Sequence, residues 1–332
     1  MRQSLAELCS CFLDNRNAVK AAFAWESVYL YPVCAAILTD RRVTADVEQL
    51  RRCRDLLKAR TGVFSNFRST AKLAMIAMMA ADSDPEGKLE RALLVYDALK
   101  EHFWGSQYLP VAAMALSDAV PPEQYEDVAE RTRSIYNRMR EEHPFLTCSE
   151  DSVFAAMLAL SPLEDEQIIA ETERCYRLLK PEFFSGNAVQ SLSHALALGE
   201  GGAEEKCAAV LRLYRELKRQ GYPYGTGYEL ATLGVLALLP ADPNAVLTDV
   251  MQTDDHLSEQ KGYGLFGPGR KQRIMHAGML VVSDYIGPSD TVHTAALGGT
   301  LALIAAQQCA VCAAVAASSA AAASHSGGTG GN

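Results

Sequence analysis

Ile169 to Leu198, IAETERCYRLLKPEFFSGNAVQSLSHALAL, reads as two helices joined by a short aromatic loop. The first half sets a charged face beside Tyr176, Leu178 and Leu179 and ends at Lys180, whereas the second is mostly Ala, Leu and Val. Both halves carry helical spacing of their apolar residues. The same plan recurs along the chain. The last basic residue of each first helix falls at Lys58, Lys100, Arg140, Lys180 and Lys218, steps of 42, 40, 40 and 38 residues. Tyrosines stand four residues before the last four of these, at Tyr96, Tyr136, Tyr176 and Tyr214. Ser65, Ser106, Thr147, Ser185 and Thr226 mark the start of each second helix, each with an aromatic residue one to three positions earlier.

Two series with one period of about 40 residues predict an all-α array of helical hairpins, each burying its apolar face only against its neighbours. A divergent first hairpin occupies residues 2–40, with Pro32 either kinking its second helix or marking where that helix starts. Five clear units follow from Ala45 to Leu239, and a sixth runs from Ala245 to Ile286 with a long glycine-rich loop. First helices such as LERALLVYDALK have one polar face and suit an outer layer, while second helices such as AKLAMIAMMAA are apolar nearly all round and suit an inner one. The expected fold is a two-layer α/α solenoid or toroid over residues 1–291, with the open form slightly preferred.

Between His293 and His325 no residue is charged and alanine dominates. A membrane span is set aside for this run, because alanine is weakly apolar, Gln307 and Gln308 interrupt it and no basic flank orients it. Residues 292–323 are expected to form an Ala-rich helix packing on or capping the array, and residues 324–332 a flexible tail.

Of the 332 residues, 49% are hydrophobic and 21% charged, enough to bury a sizeable core. The net charge of −9 argues against nucleic acid and against an anionic membrane as partners, local basic patches aside. Nine cysteines, an odd number scattered through helical stretches, read as reduced thiols. The N-terminus has no uninterrupted apolar core of a secretory signal, so the expected location is cytoplasmic.

FSNFR (Phe64 to Arg68), the YxxLK helix endings, FLTCSEDS (Phe145 to Ser152), FFSGNAVQSLSH (Phe183 to His194), the glycine loop before RIMHAGMLV and the Ala-rich tail together resemble a family of bacterial proteins, the domain-of-unknown-function family four-thousand-and-three. The resemblance spans essentially the whole chain. It implies a helical bacterial protein and brings no functional residues with it.

Four constellations are candidate sites. On the second helix of the opening stretch, Asn187, Gln190, Ser191 and His194 share one side, which is either a pocket wall with His194 as proton carrier or ligand, or a polar ladder between neighbouring helices. Glu150, Asp151 and Glu229 lie near the starts of two inner helices and suit acid/base work on a sugar. Thr147-x-x-Glu150 and Thr226-x-x-Glu229 also fit capping boxes, which leaves Asp151 unaccounted for. Gly262, Gly264 and Gly267 have GxGxxG spacing without a βαβ context, so no dinucleotide is expected; with Arg270, Lys271 and Arg273 they could cradle an anion, or form a long turn with solvated cations. The loops between paired helices concentrate aromatics, among them Phe64, Phe67, Trp104, Tyr108, Phe183, Phe184, Tyr222, Tyr224, Tyr228, Tyr263 and Phe266, as a gripping rim or as plugs inside each hairpin.

Metal signals are poor. Asp254, Asp255, His256 and Glu259 fit a solvated helix end, and Cys309-x-x-Cys312 has no second pair, so neither metal nor cofactor is expected. The preferred function is binding or scaffolding, through the rim at the starts of the inner helices, of a partner protein segment or an anionic small molecule. The alternative is an α/α-toroid enzyme acting on a glycan or phosphorylated metabolite, with Asp151, His194 and Glu229 as candidate acid/base groups. Convergence of Arg68, Asp151, His194 and Arg270 on one closed cavity would favour the enzyme.

Overall fold

The structure is a computed structural model and describes residues 1–264 and 267–287. Phe266, the Ala-rich segment 292–323 with Cys309 and Cys312, and the tail 324–332 lie outside the described residues. The described chain is all-α, with fourteen α-helices and no strand. The helices pack in successive pairs: α1 (Gln3–Ala22) with α2 (Leu30–Asp40), α3 (Val47–Arg60) with α4 (Lys72–Ala80), α5 (Pro85–His102) with α6 (Leu109–Ala119), α7 (Tyr125–Glu142) with α8 (Ser152–Leu158), α9 (Asp165–Leu179) with α10 (Gly186–Ala197), α11 (Ala203–Arg219) with α12 (Leu230–Ala237), and α13 (Pro243–Ser258) with α14 (Arg270–Ile286).

The odd-numbered helices are amphipathic and bury one stripe each, Leu50, Cys53 and Leu57 in α3 for example. The even-numbered helices are buried almost throughout; from Leu73 to Ala80 every residue of α4 is enclosed. Each even-numbered helix packs on the next even-numbered one, and each odd on the next odd. The first and last described pairs also meet, since α14 packs against α2 and α1, and α13 against α1.

Local chemistry sets the boundaries. Asp46 and Asp84 cap α3 and α5 by accepting from the Gln49 and Gly87 N–H groups at 2.7 and 3.0 Å. Pro85 and Pro243 open α5 and α13, and Pro32 sits in the first turn of α2, where its missing N–H costs nothing. Proline therefore marks the start of α2 rather than a kink. The even-numbered helices begin later than Ser65, Ser106, Thr147 and Thr226 suggest. Ser65 accepts from the Phe67 N–H (3.3 Å) at a 3₁₀ turn ahead of α4, and Ser106 from the Tyr108 N–H (3.3 Å) just before α6. Only Ser185 caps its helix directly, accepting from the Ala188 N–H at 3.3 Å.

The periodic tyrosines have a common contact. Tyr96 meets Phe67 edge-on with ring centroids 5.1 Å apart, Tyr136 meets Phe103 at 5.4 Å, Tyr176 meets the His143 ring at 4.3 Å and Tyr214 meets Phe183 at 5.1 Å. Each tyrosine thus packs on a ring from the loop of the preceding pair, a contact favoured by the aromatic quadrupole. One ring per loop is consumed in this way. At the other end of each pair, side chains reach carbonyls near the ends of the even-numbered helices: Gln49 donates to Ala80 O (2.7 Å), Lys88 to Met114 O (2.5 Å), Arg131 to Ala159 O (3.0 Å) and Lys206 to Gly199 O (3.0 Å).

Polar bonds line the seam between first and last pairs. Arg2 pairs with Asp249 (2.9 Å) and Asp284 (2.6 Å), and its guanidinium lies 4.3 Å from the Tyr285 ring centroid. Arg42, in the left-handed region at φ 56°, donates to Ser283 O at 2.6 Å, and the Ser283 hydroxyl donates to Asp40 at 2.7 Å. Among the described residues no helix is long and apolar enough to cross a membrane.

Candidate functional site

The loops leading from odd- to even-numbered helices all leave the C-terminal ends of the odd-numbered helices, and the aromatics they hold are in two different states. Phe67, Phe103, Phe183, Tyr224 and Tyr263 are buried plugs. Trp25, Phe64, Trp104, Phe145 and Phe184 are 93–101% exposed. In four of these loops an inward ring lies close in sequence to an outward one: Phe67 with Phe64, Phe103 with Trp104, His143 with Phe145, and Phe183 with Phe184. Phe145 belongs to this row as the aromatic two residues before Thr147, and Trp25 belongs to it although the five-fold series does not reach it. In the fourth loop the plug is a histidine, which conceals the pairing from a count of aromatics.

Around His194 the structure brings two candidates together. Asp151 and His194 are both buried, with Oδ1 and Nδ1 3.9 Å apart. That exceeds hydrogen-bond range, and His194 Nδ1 has no hydrogen-bond partner. Burial, helped by nearby His143, pushes the imidazole pKa down to about 3, and burial raises the Asp151 carboxyl to about 7. Two groups that both resist charge do not form an ion pair. Gln190 donates to Thr147 Oγ1 (2.9 Å) and Thr147 donates to Met139 O (3.0 Å), so this side of α10 is tied to the preceding pair, whereas Asn187 is exposed.

The capping box expected at Thr147/Glu150 is displaced by one residue, and the one expected at Thr226/Glu229 does not form. Asp151, not Glu150, accepts from the N-cap N–H, that of Cys148, at 2.9 Å. Glu229 accepts from the Gly227 N–H at 3.1 Å rather than from Thr226. Asp151 gives a pH prediction. A carboxyl held protonated to about pH 7 contributes stability that is fully present below its unfolded pKa and declines as pH rises through the folded one. Asp151→Asn keeps an acceptor for the Cys148 N–H and removes the titration. Relative to the native chain, the variant should therefore gain about 1–3 kcal/mol between pH 4 and pH 8, measured by urea unfolding at both values. A difference that does not change with pH would show that this carboxyl titrates normally.

The basic candidates are engaged inside the fold. Arg68 donates from Nε to Thr61 Oγ1 (3.2 Å) and from Nη2 to Thr61 O (2.5 Å) and Lys58 O, closing the end of α3. Arg270 donates to Gly221 O and lies 5.9 Å from the Tyr222 ring. Arg273 makes two 2.9 Å bonds to the buried Asp254. Gly262 needs its φ of +103°, and at Gly267 a Cβ would stand 2.0 Å from Gly262 O; Gly267 N–H donates to Gly264 O at 2.9 Å. These glycines fold the loop on itself. Asp151 and His194 thus lie side by side, while Arg68 and Arg270 are each engaged with other partners.

A cavity of about 230 Å³ opens elsewhere, at the C-terminal ends of α2, α4 and α6, lined by Ile37, Arg41, Met78, Asp82, Ser83 and Asp118 among others. Arg41 and the buried Lys88 both reach Asp118, at 2.9 and 2.5 Å. No sequence motif announces it, because its residues come from three helix pairs. None of the sequence candidates lines it. Among the described residues no group of three or more His, Cys, Asp or Glu side chains could hold a metal ion.

An all-α chain with this loop architecture is the class; within it, the chain belongs to the family described as protein of unknown function (DUF4003), which matches residues 15–309. No curated protein and no solved structure matches the chain.

Proposed function

We propose that the chain is a closed α/α toroid of seven helical hairpins that serves as a binding platform, presenting the rim at the starts of its even-numbered helices to a partner. The contacts of α14 with α1 and α2, between the last and first described pairs, support the closed form over the open one slightly preferred from sequence. The observation that carries the binding reading is the row of five exposed rings, Trp25, Phe64, Trp104, Phe145 and Phe184, on five successive loops. Large apolar side chains presented together to water mark an interaction surface. The enzyme reading has the proximity of Asp151 and His194 in its favour, but both groups are buried and neither lines the cavity.

The test is photo-crosslinking in living cells. Benzoylphenylalanine in place of Trp104 should give adducts that the same probe in place of Glu123, exposed in the turn between α6 and α7, does not. Equal or absent adducts at both positions would count against the platform.

A further inference from the structure

We propose that this rim docks on an anionic lipid surface, its exposed rings entering the headgroup region while the basic ends of the odd-numbered helices meet lipid phosphates. The proposal rests on the platform reading and names the partner.

The first observation is how the rings are held. The buried rings Phe67, Phe103 and Phe183 and the half-buried His143 ring pack against Tyr96, Tyr136, Tyr214 and Tyr176. Phe64, Trp104, Phe145 and Phe184 lie within three residues of them and are left exposed. They stand on separate loops, one helix pair apart, at the C-terminal ends of the odd-numbered helices. A protein partner needs a pocket for each such anchor, whereas a lipid interface accepts separate aromatic rings without pockets.

The second observation is charge. The net −9 is unevenly placed. First turns of the odd-numbered helices hold Glu86, Glu126, Asp165 and Glu204, of which Glu86 pairs with Arg60 and Glu126 with His102 at the end of the preceding odd-numbered helix, and the last turns hold Lys20, Lys58, Lys100, Arg140 and Lys218. Each placement suits its helix dipole. Together they turn a basic edge toward the same side as the rings, the combination that anchors interfacial helices to anionic lipid. Carboxylates are present there too, at Glu101, Glu141, Glu142 and Glu182. The cationic sector is strongest around Trp25 and Phe64, beside Lys20 and Lys58 and across the seam from Lys261 and Lys271, and weakest at Phe145.

The chain has two tryptophans, Trp25 and Trp104, and both are on this rim. The experiment uses the full chain with vesicles of phosphatidylglycerol and phosphatidylcholine, against pure phosphatidylcholine. Expected are a blue-shifted tryptophan emission and co-sedimentation with the anionic vesicles, both weakened by salt, and quenching by brominated acyl chains. Trp25→Ser combined with Phe64→Ser should weaken binding about tenfold or more, since two rings lose their burial, while Leu94→Ser, at an exposed position in the middle of α5, should change it little. Far-UV circular dichroism checks that these surface variants fold. No shift and no co-sedimentation with anionic vesicles would overturn the proposal, as would binding unaffected by the paired substitution. If crosslinks from position 104 reach a protein in cells and vesicles are ignored, the lipid proposal fails and the platform stands.

Discussion

Replacing Arg273 by alanine should lower the stability of the folded chain by about 3–5 kcal/mol, the usual consequence of stranding a buried charge. Asp254 on α13 has almost no solvent exposure, and both of its oxygens accept from the Arg273 guanidinium of α14, at 2.9 Å each. The carboxylate bonds hold the Arg273 pKa above its ordinary value. Without them Asp254 must take a proton or draw water into the joint between the two helices. Arg273→Lys should recover only part of the loss, because an ammonium cannot reproduce the two-pronged geometry. The pair Arg273→Met with Asp254→Leu should come close to native stability, since an apolar pair carries no desolvation cost. Urea unfolding of the four proteins checks this. A loss under about 1 kcal/mol for Arg273→Ala would mean that the pair is solvated, as surface pairs are.

Lys88→Ala should cost about 2–4 kcal/mol, combining lost packing of a long stem with unpaired polar groups. Lys88 is buried, and its ammonium donates to Met114 O (2.5 Å), Ser117 Oγ (3.1 Å) and Asp118 Oδ1 (2.5 Å). Burial lowers its pKa, and Asp118 opposes that effect. Asp118 keeps Arg41 when Lys88 is removed, which is why the expected loss is smaller than at Arg273. Lys88→Met separates the two contributions: it keeps the stem, so about half the stability should return, and the rest belongs to the ammonium at the end of α6. Equal losses for Met and Ala, read from thermal unfolding, would assign the whole effect to the charge.

The helices were legible because their spacing is local. The tyrosine period was legible for a less local reason, since Tyr96, Tyr136, Tyr176 and Tyr214 each meet a ring delivered by the preceding loop. The caps were legible in kind but not in register: sequence shows that an acid stands near a helix start, not that Asp151 rather than Glu150 reaches the N–H of Cys148. Arg68 and Arg273 looked available because a formal charge says nothing of its partner, and their partners, Thr61 and Asp254, are set by how loops and helices fold back. The seam was illegible altogether. Arg2 meets Asp249 and Asp284 only because the first and last described helix pairs come together, a relation between residues hundreds of positions apart. The rim was half legible: the aromatics were visible, but which of two neighbouring rings turns inward depends on the tyrosine waiting in the next pair.

The central claim is that this rim stands open to water with its rings exposed, and the two native tryptophans report on it without labelling. Trp25 and Trp104 are 101% and 93% exposed. In the free protein their emission should lie close to that of tryptophan in water, and acrylamide should quench them nearly as efficiently as free tryptophan. A blue emission shielded from acrylamide would contradict the account, because the rings would then be covered within the free protein and unavailable to any partner.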